Sequence, residues 1–295
     1  MIKKYSKPWW FILPGMILGL ITLGFPIYQA FRNSFYDIRL YRLQNQLFVG
    51  LENYVQLWND SIFLLAVRVT VIFTFGCTLL SLICGISIAS VLSSEKIRGT
   101  LIARFFMAFF IVPFVTTQVV TGVMGRLFIW DVEFGLVNYL LSLINISGPA
   151  WLLDANLALP AAIVTNSWRL TPLALLVLYA ALATIPEALI ESASLDGANE
   201  LEIIFKVKLP MIKYHIIFVS MILITSAFRE FDVIYSLAGR GPRRATNVLS
   251  LMVYEQGVSV ANMGYANAIA FTMFLIVSIM TIIFIKIFSL DDVGV

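Results

Sequence analysis

Residues Ile185–Lys213 read IPEALIESASLDGANELEIIFKVKLPMIK, a long polar interruption with its own internal order in an otherwise oily chain. Pro186 fits the first turn of a helix, Thr184 is the expected cap, and Glu187 lies favourably near the positive helix end. Ala188, Leu189, Ser192, Ala193 and Leu195 form a face of small and apolar residues that another protein can approach closely. Asp196-Gly197 should break this helix, because glycine tolerates the positive-φ conformation common at helix ends. A second short helix is expected from about Asn199 to Lys206, ended by Leu209-Pro210. Two short helices joined at a glycine make a compact knob built to be gripped.

What surrounds the knob fixes its setting. Hydrophobic residues make up 60% of the 295-residue chain and charged residues only 13%, with a mean hydropathy of +0.92; soluble domains do not have that balance. Apolar runs of about 20 residues match a hydrocarbon layer of roughly 30 Å at 1.5 Å per helical residue. Lipid offers backbone groups no hydrogen-bond partner, so the spans must be helices or a closed barrel, and these runs are too continuously apolar for barrel strands. The fold class is therefore all-α and polytopic in a lipid bilayer. The net charge of +3 does not indicate nucleic acid, because the Lys and Arg residues sit at helix ends, where they set topology.

Six spans are expected, at about Trp9–Phe31, Ile62–Leu92, Ile102–Phe128, Leu157–Ala183, Tyr214–Leu237 and Tyr265–Phe288, with the third kinked at Pro113 or Gly122. The first follows Lys3, Lys4 and Lys7 like a signal peptide but is too long, with no small-residue cleavage site after it, and reads as a retained helix. Lys96, Arg98 and Arg104 lie between spans two and three, and Lys206, Lys208 and Lys213 between spans four and five. Those connections and the amino-terminal tail are expected inside, although Arg32, Arg39, Arg42, Arg240, Arg243 and Arg244 fall on the outer side. An even number of spans leaves both termini cytoplasmic, and 1–295 reads as one domain. Residues Asp131–Asn156 suggest short interfacial helices, and Gly239–Pro242 a turn.

Catalytic chemistry finds little support. His215 is the one histidine, and Cys77 and Cys84 lie two helical turns apart, about 10 Å, too far for a disulfide. Neither a metal cluster, nor a catalytic triad, nor a phosphate-cradling GxxxxGK[ST] occurs, so energy for any work must come from another subunit. Polar groups inside the bilayer are costly and usually face the bundle interior or a water-filled path. Asn166, Arg169, Arg229, Glu230 and Asp232 are of this kind, with the last three expected to neutralise one another; Arg68 is read as snorkelling to the surface. Asn166, Trp168 and Tyr235 offer the donors, acceptors and aromatic faces that sugars need.

The knob's pattern resembles the cytoplasmic signature of permease subunits of binding-protein-dependent ABC importers: Glu191-Ser192-Ala193, then Gly197, then Val207 with Leu209-Pro210, and Asp196 and Ala198 beside the glycine as in the sugar-transporting branch. Ser192 stands where alanine is usual. Phe48–Tyr54 (FVGLENY), Trp151–Asp154 (WLLD) and Phe231–Pro242 (FDVIYSLAGRGP) are similar to segments of the maltose-type carbohydrate permeases, with Ala238, Arg240 and Val69 departing from that pattern.

The resemblance implies the type I permease fold and a non-catalytic role. The knob would be a coupling helix seated on a cytoplasmic ATPase subunit, with Glu191, Ser192, Ala193, Asp196, Gly197, Leu209 and Pro210 as its coupling residues. It implies a second permease subunit, two ATPase subunits that use ATP and Mg, and an extracytoplasmic solute-binding protein in a bacterial cytoplasmic membrane. No cofactor is expected on this chain. The path for a sugar, oligosaccharide or sugar derivative would be lined by Asn166, Trp168, Arg169, Arg229, Asp232 and Tyr235, and the arginines keep anionic sugars among the candidates. An ion-coupled secondary transporter is the alternative, disfavoured by the absence of an inverted repeat. A membrane-embedded enzyme would need converging catalytic side chains, which scattered carboxylates and one histidine do not supply.

Overall fold

A computed structural model describes residues 9–42, 44, 46–94 and 97–287. Lys3, Lys4, Lys7, Lys96, Phe288 and both termini, on which part of the orientation argument rests, lie outside the described residues.

Helix α1 (Trp9–Gly19) passes through a π turn at Leu20–Gly24 into α2 (Phe25–Asn33). A two-stranded antiparallel hairpin follows, β1 (Tyr36–Asp37) against β2 (Leu47–Phe48), then α3 (Glu52–Asn59) and the 32-residue α4 (Ser61–Leu92). Next come α5 (Leu101–Val115), α6 (Gln118–Met124), α7 (Leu136–Ser142) and α8 (Ala158–Leu182). The polar segment supplies α9 (Glu187–Leu195), α10 (Glu200–Glu202) and α11 (Leu209–Met211), and the chain continues through α12 (Lys213–Phe228), α13 (Asp232–Leu237), α14 (Leu249–Tyr254) and α15 (Met263–Ile287). Among the described residues four helices are long and apolar enough to cross a membrane, or up to six if each of two bent pairs counts as one span.

One bent pair and one break correct the expected third and fifth spans, while the second bent pair joins Glu200–Met211 to Lys213–Phe228 at 76°. In place of one kinked helix over Ile102–Phe128, helices Leu101–Val115 and Gln118–Ile129 meet at 100°. The bend is neither at Pro113, which sits buried inside α5, nor at Gly122. It falls at Thr116 and Thr117, both extended (ψ 134° and 150°), and the Thr117 hydroxyl accepts the Val120 N–H to start α6. The expected fifth span, Tyr214–Leu237, is interrupted at Arg229–Phe231, between α12 and α13. Residues 131–156 hold one regular helix, α7, followed by turns.

The chain forms two compact units, one of the residues up to Leu64 with Met252–Met280, the other of Leu65–Leu251 with those from Thr281 on. In the first, FVGLENY acts as a clamp. Asn53 is buried and donates to the carbonyl oxygens of Ser34 (2.8 Å) and Tyr36 (3.1 Å), while the Tyr54 and Ser34 hydroxyls share a 2.7 Å hydrogen bond. Tyr265, at the start of α15, donates to Asp60 at 2.7 Å.

The second unit packs α4, α8, α12 and α13 around Phe73, Leu170, Leu175, Leu178, Val219 and Leu223. Small side chains on α8, Ala161, Ala162, Ala174 and Ala181 among them, are buried at its packed face. Close backbone approach is how helices gain contact where lipid removes the usual hydrophobic drive. Trp130 donates through Nε1 to Thr165 at 2.8 Å, and Trp151 to Asn138 at 2.7 Å. The tryptophan of WLLD is thus tied into this unit.

Candidate functional site: a polar two-helix loop and a charged break in the bundle

The polar segment is built as its sequence asks, with two exceptions. Pro186 is extended and occupies the cap position of α9, so the helix begins at Glu187. Thr184 does not cap it; its hydroxyl donates back to Ala181 at 2.7 Å. Helix α9 ends in a Schellman motif, with Ala198 N–H reaching the Ala193 carbonyl (3.1 Å) and Gly197 N–H the Ser194 carbonyl (3.1 Å), and Gly197 at φ +83°. Asn199 and Glu202 then form a reciprocal capping box that starts the next helix. That helix does not stop at Leu209-Pro210. It passes through a π turn at Ile203–Lys208 and runs on to Met211, turning at Ile212. A proline supplies no N–H to the i−4 carbonyl, and such gaps in the hydrogen-bond ladder are where helices bend or widen.

Glu191, Ser192, Asp196, Gly197 and Pro210 are exposed, and Ala193 and Leu209 half-buried. Leu195 is 89% exposed, Leu201 66% and Phe205 65%. Large apolar side chains left in the open on a polar loop make it a candidate interaction surface. Leu201 and Phe205 escaped the sequence reading, although a capping box at Asn199 fixes which face of the following turn they occupy. One guanidinium ties the loop to the bundle: Arg98 donates to Glu187 (3.0 Å) and to the Ala183 carbonyl (3.3 Å). The Lys206 ammonium, at 2.8 Å, and the Asn199 N–H hold the Glu202 carboxyl below its ordinary value.

The second cluster lies where α8 meets the break between α12 and α13. Arg169 Nη2 donates to Glu230 Oε2 at 2.7 Å, and its Nε and Nη2 reach Asn166 Oδ1 at 3.3 and 3.1 Å. Asn166 Nδ2 approaches Cys77 Sγ on α4 at 3.5 Å. The other Glu230 oxygen accepts the Val233 N–H at 3.1 Å and so caps α13, while the Glu230 carbonyl accepts from Ser250 on α14. Burying two charges is expensive, and they persist together because they are paired with each other and further bonded, Arg169 to Asn166 and Glu230 to the Val233 N–H.

This geometry divides the predicted path residues. Asn166 is fully buried and Arg169 nearly so, in one network with Glu230. Trp168 is 41% exposed; two residues from Asn166 on a helix of 3.6 residues per turn, it points to the opposite side. Glu230 therefore does not neutralise Arg229 and Asp232 as expected. Its partner is Arg169, while Arg229 is exposed and donates through Nε to the Thr225 carbonyl at 3.2 Å. Asp232 is half-buried in the first turn of α13. Tyr235 is 52% exposed and stacks on Phe231, with ring centroids 5.2 Å apart at 20°.

Residues 81–290 match the family described as binding-protein-dependent transport system inner membrane component, a stretch that contains the polar loop and both halves of the charged break. The chain belongs to this family. It is a permease: the multi-pass, non-catalytic transmembrane subunit of a binding-protein-dependent ABC importer. Over 278 residues it is 31% identical to the trehalose/maltose transport system permease protein MalF of Thermococcus litoralis, covering 94% of this chain and 91% of that one. It is 30% identical to the multiple sugar-binding transport system permease protein MsmF of Streptococcus mutans, covering 97% of each. A crystal structure of a bacterial ABC transporter involved in the import of the acidic polysaccharide alginate has a chain of the same fold, with a TM-score of 0.80 at 21% identity over 95% of this permease and 94% of that chain.

Proposed function

We propose that this permease pairs with a second permease subunit and lines the path of a sugar, oligosaccharide or sugar derivative. An extracytoplasmic binding protein delivers the substrate, and two cytoplasmic ATPase subunits that hold ATP and Mg drive the cycle. The coupling loop carries this reading. Its two short helices are each locally fixed, by the Schellman motif at Gly197 and the capping box at Asn199, while Leu195, Leu201 and Phe205 stay open for a partner. A rigid knob transmits displacement; a floppy one would absorb it. Glu191, Ser192, Ala193, Asp196, Gly197, Leu209 and Pro210 are the contact and shaping residues of that coupling surface.

Carbohydrate as cargo is supported by the relatives, whose names refer to trehalose/maltose and multiple sugars. Exposed Trp168 and Tyr235 supply the flat faces against which sugar rings pack, and Arg229 and Asp232 the charged donors and acceptors. Asn166 and Arg169 serve this path from behind. Because Arg169 is already neutralised by Glu230, any attraction for an anionic sugar falls to exposed Arg229, and the sugar names of the relatives favour a neutral cargo. Residues 1–295 act as one permease domain with both termini on the cytoplasmic side.

Two measurements test the proposal. Tagged permease purified in mild detergent should bring down an ATPase and a second permease; recovery of the permease alone would sink the coupling reading. Calorimetric titration of the cognate binding protein with neutral and uronic oligosaccharides should give binding to the neutral set. Binding of uronic sugars only would overturn the preferred cargo.

A further inference from the structure

The break in the fifth span is held by one side chain. Glu230 sits between α12 and α13, and three of its atoms fasten three different elements: Oε2 the Arg169 guanidinium of α8, Oε1 the Val233 N–H in the first turn of α13, and the carbonyl oxygen the Ser250 hydroxyl of α14. It is 3% exposed. Helix α13 carries Tyr235, and Phe231, the residue before it, stacks on that ring. The same short helix is clamped on its far side, where Ser236 and the Val233 carbonyl crowd Gly122 of α6 so closely that a β-carbon there has no room. Helix α13 thus has its outer contact fixed by shape and its inner end fixed by charge.

We propose that Glu230, through its ion pair with Arg169, is a positioning residue of transport: it sets the orientation of α13 and thereby presents the Phe231–Tyr235 aromatic pair to the substrate path. The inference rests on the path reading given above only for what the aromatic pair faces; that Glu230 orients α13 stands on the geometry alone. A six-residue helix has little stability of its own. Its direction is decided by whatever holds its ends. Removing the carboxylate leaves a buried guanidinium unpaired and the α13 N-terminus uncapped at the same time. Shortening the side chain by one methylene keeps the charge but pulls the cap away from the ion pair, so the helix must turn to recover one or the other.

The test uses the full transporter expressed with its partner subunits in the cell membrane. The Tyr235→Cys variant is labelled with a charged, water-soluble methanethiosulfonate and, in parallel, with a lipid-soluble maleimide, and the native Cys77 and Cys84 supply the background to subtract. Introducing Glu230→Asp or Glu230→Gln is expected to change the labelling rate of the Tyr235→Cys variant at least fivefold. The swap Arg169→Glu with Glu230→Arg should bring it part of the way back, whereas Val164→Cys, on an exposed part of α8, should label at a rate constant within twofold throughout. Rates at Tyr235→Cys within twofold of the parent in both Glu230 variants would overturn the positioning role. The path reading fails separately if Tyr235→Cys reacts with the maleimide but not with the charged reagent. Positioning is then still read from the change in the maleimide rate.

Discussion

Gly122 on α6 and Ser236 on α13 are in such close contact that a β-carbon on the glycine would overlap the serine hydroxyl and come within 2.6 Å of the Val233 carbonyl oxygen. Gly122 lies in the second half of a bent pair and Ser236 in the short helix beyond the Arg229–Phe231 break, and the two helices are joined more tightly than an ordinary side-chain contact allows. Backbone cannot retreat as a flexible side chain can. Gly122→Ala should therefore spread α6 from α13 at a cost of about 1–3 kcal/mol. It should lower the melting temperature of the detergent-solubilised complex, whereas Gly19→Ala, with nothing within 4 Å of the added carbon, should not. Equal melting temperatures for the two variants would show that the α6–α13 contact gives way freely.

The buried and exposed members of the path cluster should separate in their effects. Asn166→Ala removes an acceptor from the buried Arg169 and should cost about 1–3 kcal/mol of stability. Trp168→Ala, on the open side of the same helix, should leave the melting temperature unchanged and slow import at least tenfold. Thermal denaturation and transport of the identified sugar, measured on one preparation, read both. A stability loss for Trp168→Ala with no change in import would remove it from the path.

Gly197 meets nothing within 4 Å, so its requirement is conformational alone. At φ +83° an alanine is strained by about 1–2 kcal/mol, and the Schellman turn should loosen. Gly197→Ala should weaken ATPase recovery in pull-downs without lowering the amount of permease in the membrane. Leu195→Glu should do the same by charge, since that side chain is open and the loop's own hydrogen bonds do not involve it. Full ATPase recovery with both variants would place the docking surface elsewhere.

The loop after α6 carries a pH-dependent tie. Asp131 accepts N–H groups from Phe134 (3.0 Å) and Glu133 (2.9 Å), which hold its carboxyl below the ordinary carboxylate range. A depressed value in the folded state means that the charged form is the bonded one. The support is complete above the unfolded value of about 3.9 and is lost as pH falls through the lower folded value. Amide hydrogen exchange at Glu133 and Phe134, corrected for intrinsic rates, should stay slow down to about pH 4 and quicken below it. Asp131→Asn should exchange faster already at neutral pH. Protection that persists unchanged at pH 2 would rule the carboxylate out as its source.

Much of this molecule was legible in order along the chain. The apolar runs located α4, α8 and α15 to within a few residues, because a long helix in lipid is specified by composition alone and needs no partner to be recognised. The Schellman turn at Gly197 and the capping box at Asn199 were local as well, each closed by residues within five positions of one another. What failed was local reasoning about breaks and pairs. Pro113 looked like the kink and is simply buried, while Thr116 and Thr117, unremarkable in sequence, carry a 100° bend between helices.

The charged cluster shows the same division. Arg229, Glu230 and Asp232 are neighbours in sequence and were expected to neutralise one another, yet Glu230 turns inward to Arg169, which lies 61 positions away. Asn166 and Trp168 both read in sequence as residues suited to a sugar path, and helical geometry sends them to opposite sides. By itself the sequence determined the helical membrane character and the two-helix form of the polar loop, since those properties follow from composition and short-range hydrogen bonding, while its motifs carried the resemblance to permeases. Only the tertiary structure decided which polar residues bear the load inside the bundle and which remain open, because a buried charge takes as its partner whichever opposite charge packing brings within reach.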